Sequence, residues 1–453
     1  MPISNECSGS RSSYDMTTGI IGAGLTGLTL GNLIEDCELL EKSNECGGLC
    51  RSLSEDGFTF DYSGSHIIFS RDKEVLNFLL GQLGTNVVRC RRNTKILYEG
   101  NYVKYPFENG LSELPLYDKL DCLTTFITAS FIHRKSQSRA ENFKEWLYSM
   151  FGRGIAERYL IPYNEKIWKY NIAAMSTSWV DGRVPRPPIW DVLKSALGIP
   201  TEGYKHQLNF YYPKAGGINA LIRSMERKCS GKILKGFEVR SLSRENNKWI
   251  VSNGEERREY DTIIATQPLF SLFRALKHAH MHIPAHVYDA VRRLKYNSLI
   301  TVMLGLDVEH LNDLSWLYIP DSDCLPHRVA FPSNYSKEVA PPGKSSVIAE
   351  ITYNSGDAID AMMDKELIMR TIRDLHRRGI IEKDSVCFAR VKRTNPAYVI
   401  CDLDYERNMY QIRTFLNRAG IYTVGRFAEF RYLNMDACVR NAMDLAAKFN
   451  SVN

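Results

Sequence analysis

Between Thr18 and Ser52 the chain reads as a strand, a tight turn, a helix and a second strand. Gly19-Ile20-Ile21 is a short apolar run ending in Gly22-x-Gly24-x-x-Gly27, and Leu25, Leu28, Leu30 and Leu33 follow with helical spacing. The three glycines do different work: one makes the turn, one lets backbone approach a pyrophosphate, and one lets helix and strand pack closely. The helix N-terminus then faces the phosphates, because its unpaired amides and its dipole favour negative charge. Glu41 closes the next apolar run, Leu39-Leu40. It stands about 20 residues on, where an acidic side chain takes ribose hydroxyls and disfavours a 2′-phosphate, which argues against NADP.

A glycine pattern alone is a weak signal, but here strand, helix and acid all stand where the motif requires them. Six residues past Glu41 comes Gly47-Gly48, followed by Leu49-Cys50-Arg51-Ser52, a second flexible segment for the same cofactor. That addition resembles FAD proteins of the amine-oxidase and sugar-mutase type more than NAD dehydrogenases.

With 453 residues and 44% hydrophobic content the chain can bury a large core in two to four domains. A net charge of +6 suits an anionic small ligand and falls short of a nucleic-acid signature. The dense basic patch Arg89 to Arg92 reads as a solvated face or a phosphate contact. Eleven cysteines, without paired spacing, point to free thiols in a reducing compartment. Residues 1–15 are polar and serine-rich, as in a disordered tail, and the stretch Cys122–Ile132 is shorter than the ~20 residues that span a bilayer. The reading is a soluble, cytoplasmic protein with no membrane span and no nucleic-acid partner.

Further along, Phe58–Tyr62 alternates like a strand and enters Ser63-Gly64-Ser65-His66, where the glycine holds backbone close to a ligand. A hairpin is expected over Lys95–Phe107, turning at Glu99-Gly100-Asn101. Leu116 to about Leu160 is helical by its three- and four-residue spacing, an insert after the first nucleotide-binding unit. Ile161–Trp168 and Met175–Pro185 interleave polar groups with aromatics and read as an irregular, cleft-lining segment. A helix is expected over Ile218–Met225, a hairpin over Lys232–Leu242 and Lys248–Ser252, and a buried parallel strand over Tyr260–Thr266. His278, His280, His282 and His286 crowd together without nearby Asp, Glu or Cys, which reads as an exposed loop and not a metal site. Short alternating runs from Leu299 to Tyr353 predict an antiparallel sheet, followed by a helix over Asp364–Arg378 and a strand over Val386–Val391. A last strand over Gly420–Arg426 feeds a helix running to Phe449.

Taken together, Ser63-Gly64-Ser65-His66, Tyr105-Pro106-Phe107-Glu108-Asn109, Pro162-Tyr163-Asn164-x-Lys-Ile-Trp168, Gly182-Arg183-Val184, Trp316-Leu-Tyr318, Arg328 ahead of Phe-Pro-Ser-Asn-Tyr335, and Gly425-Arg426 with Tyr432 resemble the UDP-galactopyranose mutase family, its eukaryotic-type branch in particular. The resemblance implies an α/β fold: a split Rossmann-like FAD-binding domain, an inserted helical domain and an antiparallel β-sheet domain. The expected division is 16–92, 213–275 and 417–453 for FAD, 116–212 for the helical substrate domain, and 93–115 with 276–416 for the sheet. It also implies FAD that is active when reduced, its N5 attacking the anomeric carbon of a nucleotide sugar so that pyranose and furanose interconvert without net redox change. An external reductant such as NAD(P)H or a reductase would keep the flavin reduced; a homo-oligomer is left open. The product would be a galactofuranose-type precursor for glycan biosynthesis.

Carried over by motif, Arg183 and Arg328 clamp the pyrophosphate, as the guanidinium fork suits phosphate oxygens, and His66 lies near the reactive flavin nitrogen. Tyr318, Tyr398 and Tyr432 bond phosphate, Asn164 and Trp168 line the sugar or diphosphate region, Tyr159 with Phe107 holds the base with Glu108 beside it, and Tyr105 and Gln207 are further substrate contacts. FAD falls to Gly22, Gly24, Gly27, Glu41, Gly48, Leu49, Gly64, Ser65, Val239, Gly425, Arg426, Asn434, Met435 and Asp436. Three residues depart from the family pattern: Ser65 stands where a glycine or another small residue is common, Glu108 replaces a glutamine and Gln207 an asparagine. Since a carboxylate only accepts hydrogen bonds, Glu108 favours a base presenting an amino or ring N–H group. The competing class is an amine-oxidase or protoporphyrinogen-oxidase-like oxidoreductase, against which two cations beside an apolar substrate would count; a third is a flavoprotein that binds nucleotide sugars without turnover.

Overall fold

The computed structural model describes residues 17–135, 140–180, 184–201 and 208–451. The expected tail, Arg183 and Gln207 lie outside them.

Ile20, Leu39 and Ile264 point to one side of a parallel sheet, and their neighbours Ile21, Leu40 and Ile263 to the other, as the two-residue period of a strand demands. Both sides are apolar, so both must be covered. Leu25–Gly31 and Met435–Asn450 cover the first, and Leu269–His278, Ala285–Arg293 and Tyr405–Ala419 the second. Among the described residues this sheet has the order Ile421–Thr423, Thr262–Ala265, Thr18–Ile21, Cys37–Glu41, Lys232–Lys235, all parallel. It thus collects four widely separated stretches of chain.

Two expectations are corrected here. Lys232–Lys235 joins the parallel sheet, and the hairpin is Ser241–Glu245 with Lys248–Ser252; the apolar Ile233-Leu234 pair fits either role by pattern, and contact with Leu39-Leu40 decides it. The helices Ala285–Arg293 and Tyr405–Ala419, grouped with the antiparallel sheet by sequence, pack instead into the core beside the parallel one.

The second sheet runs in the order Val386–Ile400, Lys295–Leu306, Ser345–Tyr353, Arg328–Ala330, Trp316–Tyr318, Thr94–Tyr98, Asn101–Lys104, antiparallel except where Trp316–Tyr318 meets Thr94–Tyr98. Its register sets Tyr318 opposite Arg328, Arg328 opposite Glu350, and Glu350 opposite Thr301. Directly paired residues share a face. A tyrosine, an arginine and a carboxylate therefore stand in a row.

The helical insert packs Leu116–Lys135 against Phe143–Ile155 so closely that a Cβ on Gly152 would lie 2.5 Å from the Thr125 carbonyl. Ile161–Trp168, read from sequence as irregular, is an α-helix that continues the π-helical turn Ala156–Leu160. Pro162, which has no N–H to donate, stands where the π-helical turn passes into the α-helix. The C-terminal carbonyls of this helix are capped by the second sheet: Asn297 Nδ2 donates to Ile167 O (2.7 Å) and Trp168 O (3.0 Å), Thr352 Oγ1 to Lys166 O (2.9 Å) and Asn354 Nδ2 to Lys169 O (2.8 Å). In return the buried Lys166 ammonium donates to the carbonyls of Ile319 (2.8 Å), Asp321 (2.7 Å) and Pro326 (2.7 Å), just ahead of Arg328.

The glycine turn generates a test. A Cβ on Gly27 would lie 1.9 Å from the Gly22 carbonyl oxygen, whereas one on Gly81, inside the helix Lys73–Leu83, meets nothing within 4 Å. Gly27→Ala is expected to destabilise the protein by about 3 kcal/mol or more through overpacking, and Gly81→Ala to stabilise it by roughly 0.5–1 kcal/mol. Thermal unfolding midpoints shifting in opposite directions confirm this; shifts of one sign and size refute it.

Candidate functional site

The turn after the first strand forms one end of a cavity of about 1290 Å³. Gly22 has φ +104°, a conformation that favours glycine, and a Cβ there would strike Thr266 Oγ1 at 2.7 Å. Gly47 N–H donates to the Ala23 carbonyl at 2.8 Å, which brings the Gly47-Gly48 segment against Gly24. Glu41, buried below this turn, accepts the N–H groups of Ala23 (2.8 Å) and Ser43 (2.9 Å), one on each oxygen, and keeps lone pairs for further donors. The geometry suits a ribose above the carboxylate.

At the other end the loop Ser63–His66 is held by two buried carboxylates. Asp61 accepts Ser52 Oγ (2.8 Å) and Ile218 N–H (3.0 Å) on one oxygen and Tyr212 OH (3.0 Å) and His66 N–H (3.2 Å) on the other. Burial pushes its carboxyl up to about 6 in spite of these four donors. Glu350, 0% exposed, accepts Arg328 Nε (2.9 Å) and Nη2 (2.7 Å) together with Ser65 N–H (3.2 Å) on Oε1, and Arg328 Nη2 again (2.8 Å) on Oε2. Burial works against the Arg328 charge, but the Glu350 carboxylate more than offsets it and holds the guanidinium well above its ordinary value. Its Nη1 edge takes no part in that pair, and Arg328 stands on the cavity wall.

His66 Nδ1 lies 2.7 Å from the Gly64 carbonyl. A carbonyl only accepts, so Nδ1 carries the proton and Nε2 keeps its lone pair. Burial lowers the His66 pKa to about 4, with Arg328 and Arg426 adding to the effect against the Gly64 bond. The imidazole is neutral throughout the physiological range.

Aromatic rings and cations complete the wall. Tyr105 and Tyr318 have centroids 5.0 Å apart, Arg92 lies 5.2 Å over Tyr105, and Arg426 lies 4.8 Å over Tyr432 and 5.3 Å over Tyr398. Burial raises the Tyr105 and Tyr398 hydroxyls, so both remain donors. Four buried atoms of wall residues have no hydrogen-bond partner among the described residues: Trp179 Nε1, Gln267 Nε2, Trp316 Nε1 and Arg426 Nε. All four are N–H donors. A ligand rich in acceptors, as a diphosphate or a flavin is, fits that donor set.

Seventeen residues expected at the site line the cavity: Gly22, Gly24, Glu41, Gly48, Leu49, Ser65, His66, Tyr105, Val239, Tyr318, Arg328, Tyr398, Arg426, Tyr432, Asn434, Met435 and Asp436. Gly27, Gly64 and Gly425 stand behind the wall; a Cβ on Gly64 would lie 3.0 Å from the Glu350 carboxyl carbon, and one on Gly425 2.7 Å from Thr26 Oγ1. Phe107 and Tyr159 are buried and stacked directly at 5.2 Å, which leaves no gap for a base between them. Glu108 is buried beside Phe107 and does not reach the wall. Asn164 and Trp168 also stand behind it. Trp168 Nε1 donates to Asn164 Oδ1 at 3.0 Å, and its ring meets Tyr432 and Tyr398 edge-on.

Sequence reasoning missed Glu350 and Asp61. A single acid in the fully buried strand Ser345–Tyr353 was the available signal for Glu350. Asp61 had none, since two of its four donors, Tyr212 and Ile218, come from a stretch some 150 residues away. Arg92, left as a surface or phosphate residue, lines the cavity. The crowded histidines are exposed, and the described residues hold no cluster that could bind a metal ion.

The protonation state is directly testable. In ¹⁵N-histidine NMR spectra His66 is expected to stay in its neutral Nδ1–H form down to about pH 5, its proton arriving only as pH falls through its folded value near 4. A midpoint near the ordinary 6.5 would show that the ring is solvated and the assigned contact wrong.

Comparison with known proteins agrees with this architecture. The model of the flavin-containing amine oxidoreductase family matches residues 29–391. A reduced UDP-galactopyranose mutase superimposes with TM-score 0.87 at 24% identity, over 97% of this chain and 94% of that one. A putative protoporphyrinogen oxidase from Exiguobacterium sp. 255-15 gives 0.75 at 18% identity, over 98% and 100%. Putrescine oxidase bound to putrescine gives 0.69 at 16% identity, over 96% and 99%. At these identities the likeness is one of fold, while the family match covers most of the chain and gives the protein a flavin cofactor, FAD. The chain therefore belongs to the flavin-containing amine oxidoreductase family.

Proposed function

We propose that this protein is an isomerase, a flavin-dependent nucleotide-sugar mutase that interconverts the pyranose and furanose forms of a nucleoside diphosphate hexose. The observation that carries this reading is the Arg328–Glu350 pair on the wall beside His66. A guanidinium fixed by a carboxylate, with Nη1 to spare, presents a fork to phosphate oxygens. It stands in register with Tyr318 and near Tyr398, both suited to donate to the same oxygens. Arg183 is proposed as the second clamp and Gln207 as a substrate contact. The cavity exceeds the ~300–1,000 Å³ of sites for drug-sized ligands, which leaves room for a dinucleotide and a second ligand.

FAD, when bound and reduced, supplies a nucleophilic nitrogen to the anomeric carbon and takes no net electrons from the sugar. The chain's own part is positioning and charge stabilisation. Glu41, Gly24 and Gly48 hold the nucleotide half of the cofactor, and Arg426 with Asn434 and Asp436 its far end. Arg328 receives the growing negative charge on the diphosphate as it leaves the sugar and keeps it close for return. His66, neutral, offers Nε2 as an acceptor at the reacting edge. No disulfide joins the described cysteines, which suits a reducing cytoplasm, with NAD(P)H or a reductase as electron source; no described helix is long and apolar enough to cross a membrane.

The family match and the oxidase neighbours favour a second reading, net oxidation of an amine or a porphyrinogen. Arg92, Arg328 and Arg426 on one wall make an amine cation a poor occupant. The two readings separate in one assay: protein reduced with dithionite under anaerobic conditions is incubated with UDP-, GDP-, CDP- and dTDP-hexopyranoses. Furanose product formed only with reduced flavin supports the mutase. Hydrogen peroxide from an amine or porphyrinogen, with no isomer, replaces it by the oxidase. Arg328→Lys keeps the charge but loses the fork, and is expected to lower kcat/KM by about 30-fold or more with flavin content unchanged, in line with disrupted buried charge pairs. Unaltered kinetics would remove Arg328 from the clamp.

A further inference from the structure

A second cavity, of about 760 Å³, adjoins the first, and most of its lining has no part in the chemistry proposed above. One side is the helix Tyr405–Ala419, which presents Met409, Ile412, Arg413 and Leu416 through the three- and four-residue spacing of a helix face. The other is the segment Gly425–Leu433, closed on itself by bonds from Glu429 N–H to Gly425 O, Arg431 N–H to Arg426 O and Arg426 Nη1 to Leu433 O, each 2.8 Å. Phe430 takes a left-handed conformation there (φ +49°), and Tyr405 OH donates to its carbonyl at 2.6 Å. Arg426 lines the first cavity, Glu429 and Arg431 the second, and Tyr432 and Trp179 both.

Glu406, Glu429 and Asp436 bring three carboxylates to this lining, and Arg413 and Arg431 two guanidinium groups. Elsewhere Arg158, Arg328 and Arg440 close directly on acids. Here Glu406, Arg413, Arg431 and Asp436 make no ion pair and no side-chain hydrogen bond among the described residues. Glu429 accepts Asn441 Nδ2 at 2.7 Å, yet burial holds its carboxyl above the ordinary value against that bond and the charges of Arg431 and Arg413. A further donor would favour its charged form. The set also selects by charge: an anion meets three carboxylates, and a cation meets two guanidinium groups. A hydroxyl group both donates and accepts, so a neutral polyol satisfies both kinds of side chain. The half-buried Trp179 and Tyr432 add apolar surface suited to the C–H face of a sugar ring. The volume lies within the ~300–1,000 Å³ of small-molecule sites. We propose that the second cavity is a saccharide site, separate from the reacting groups, which takes a neutral mono- or disaccharide through Glu406, Arg413, Glu429 and Arg431. The proposal goes beyond the mutase reading and does not depend on it, since the three carboxylates disfavour a diphosphate.

The test is saturation-transfer difference NMR on the flavin-loaded full chain, with methyl β-D-galactopyranoside, methyl β-D-galactofuranoside and lactose as probes. At least one is expected to bind with a Kd of about 1 mM, because hydroxyl contacts only modestly exceed the entropy cost of association. Glu406→Ala combined with Arg413→Ala, two exposed positions on one helix, is expected to weaken that binding about tenfold or more through the loss of hydrogen bonds to charged groups, with flavin content unchanged. Tyr318→Ala, in the first cavity, is expected to leave saccharide affinity as it is. Binding lost in Tyr318→Ala would put the sugar in the first cavity and overturn the proposal. Affinity unaltered in the double variant, or no signal from any of the three probes, overturns it equally. AMP or spermidine bound where no sugar binds, and lost in the double variant, would replace the saccharide by a nucleotide or a polyamine.

Discussion

A carboxylate with no exposed surface needs a partner, and Glu350 has three donors from two segments of chain. An isolated buried charge is prohibitively costly, while one that is paired and hydrogen-bonded persists. The pair in turn limits what can stand nearby. Gly64 must be glycine because the carboxyl group occupies the space of its Cβ. Arg328 is held by its Nε and Nη2, so its remaining edge has one direction to offer. The row Tyr318, Arg328, Glu350 exists because three short strands pair in one register; slipping any of them by one residue would turn its side chain to the opposite face.

That register is itself braced from the helical insert. The helix Ile161–Trp168 ends with four carbonyls, from Lys166 to Lys169, capped by Asn297, Thr352 and Asn354 of the second sheet, and Lys166 reaches into the carbonyls ahead of Arg328. Helix ends otherwise leave such acceptors unsatisfied, and buried ones are costly. Helix and sheet are consequently docked by polar satisfaction as well as by apolar contact. Trp168, at the end of the same helix, then backs the rings of Tyr398 and Tyr432.

The legible parts of the site were those written in consecutive residues. The glycine turn, Glu41 and the Gly47-Gly48 segment lie within one strand-turn-helix-strand unit, where spacing alone dictates which groups meet. Arg328, Tyr318 and Tyr432 were reached through resemblance to a family, and the cavity brings all three together. Phe107, Tyr159 and Trp168 carry the same motif signal, yet they stand in the core and do not line the cavity, nor does the half-buried Asn164, because a motif marks which residues belong together and not which of them faces a ligand. Glu350 and Asp61 escaped, since a buried acid looks like any other acid in a sequence until its donors are known.

The sequence by itself determined that a strand, a glycine turn, a helix and an acid-ended strand would make a dinucleotide grip, that a helical insert would follow, and that alternating runs would form a second sheet. These are local consequences of period, turn chemistry and steric room. Only the tertiary structure decided that Lys232–Lys235 would lie beside Cys37–Glu41 and leave the hairpin to Ser241–Glu245. It alone decided that Ile161–Trp168 would coil, that Glu350 would neutralise Arg328, and that Asp61 would gather donors from Ser52, His66, Tyr212 and Ile218. The reason is that each of these outcomes depends at least in part on partners distant in the chain, and the energy of a buried polar contact is set by the atoms that surround it, whose identity no local pattern contains.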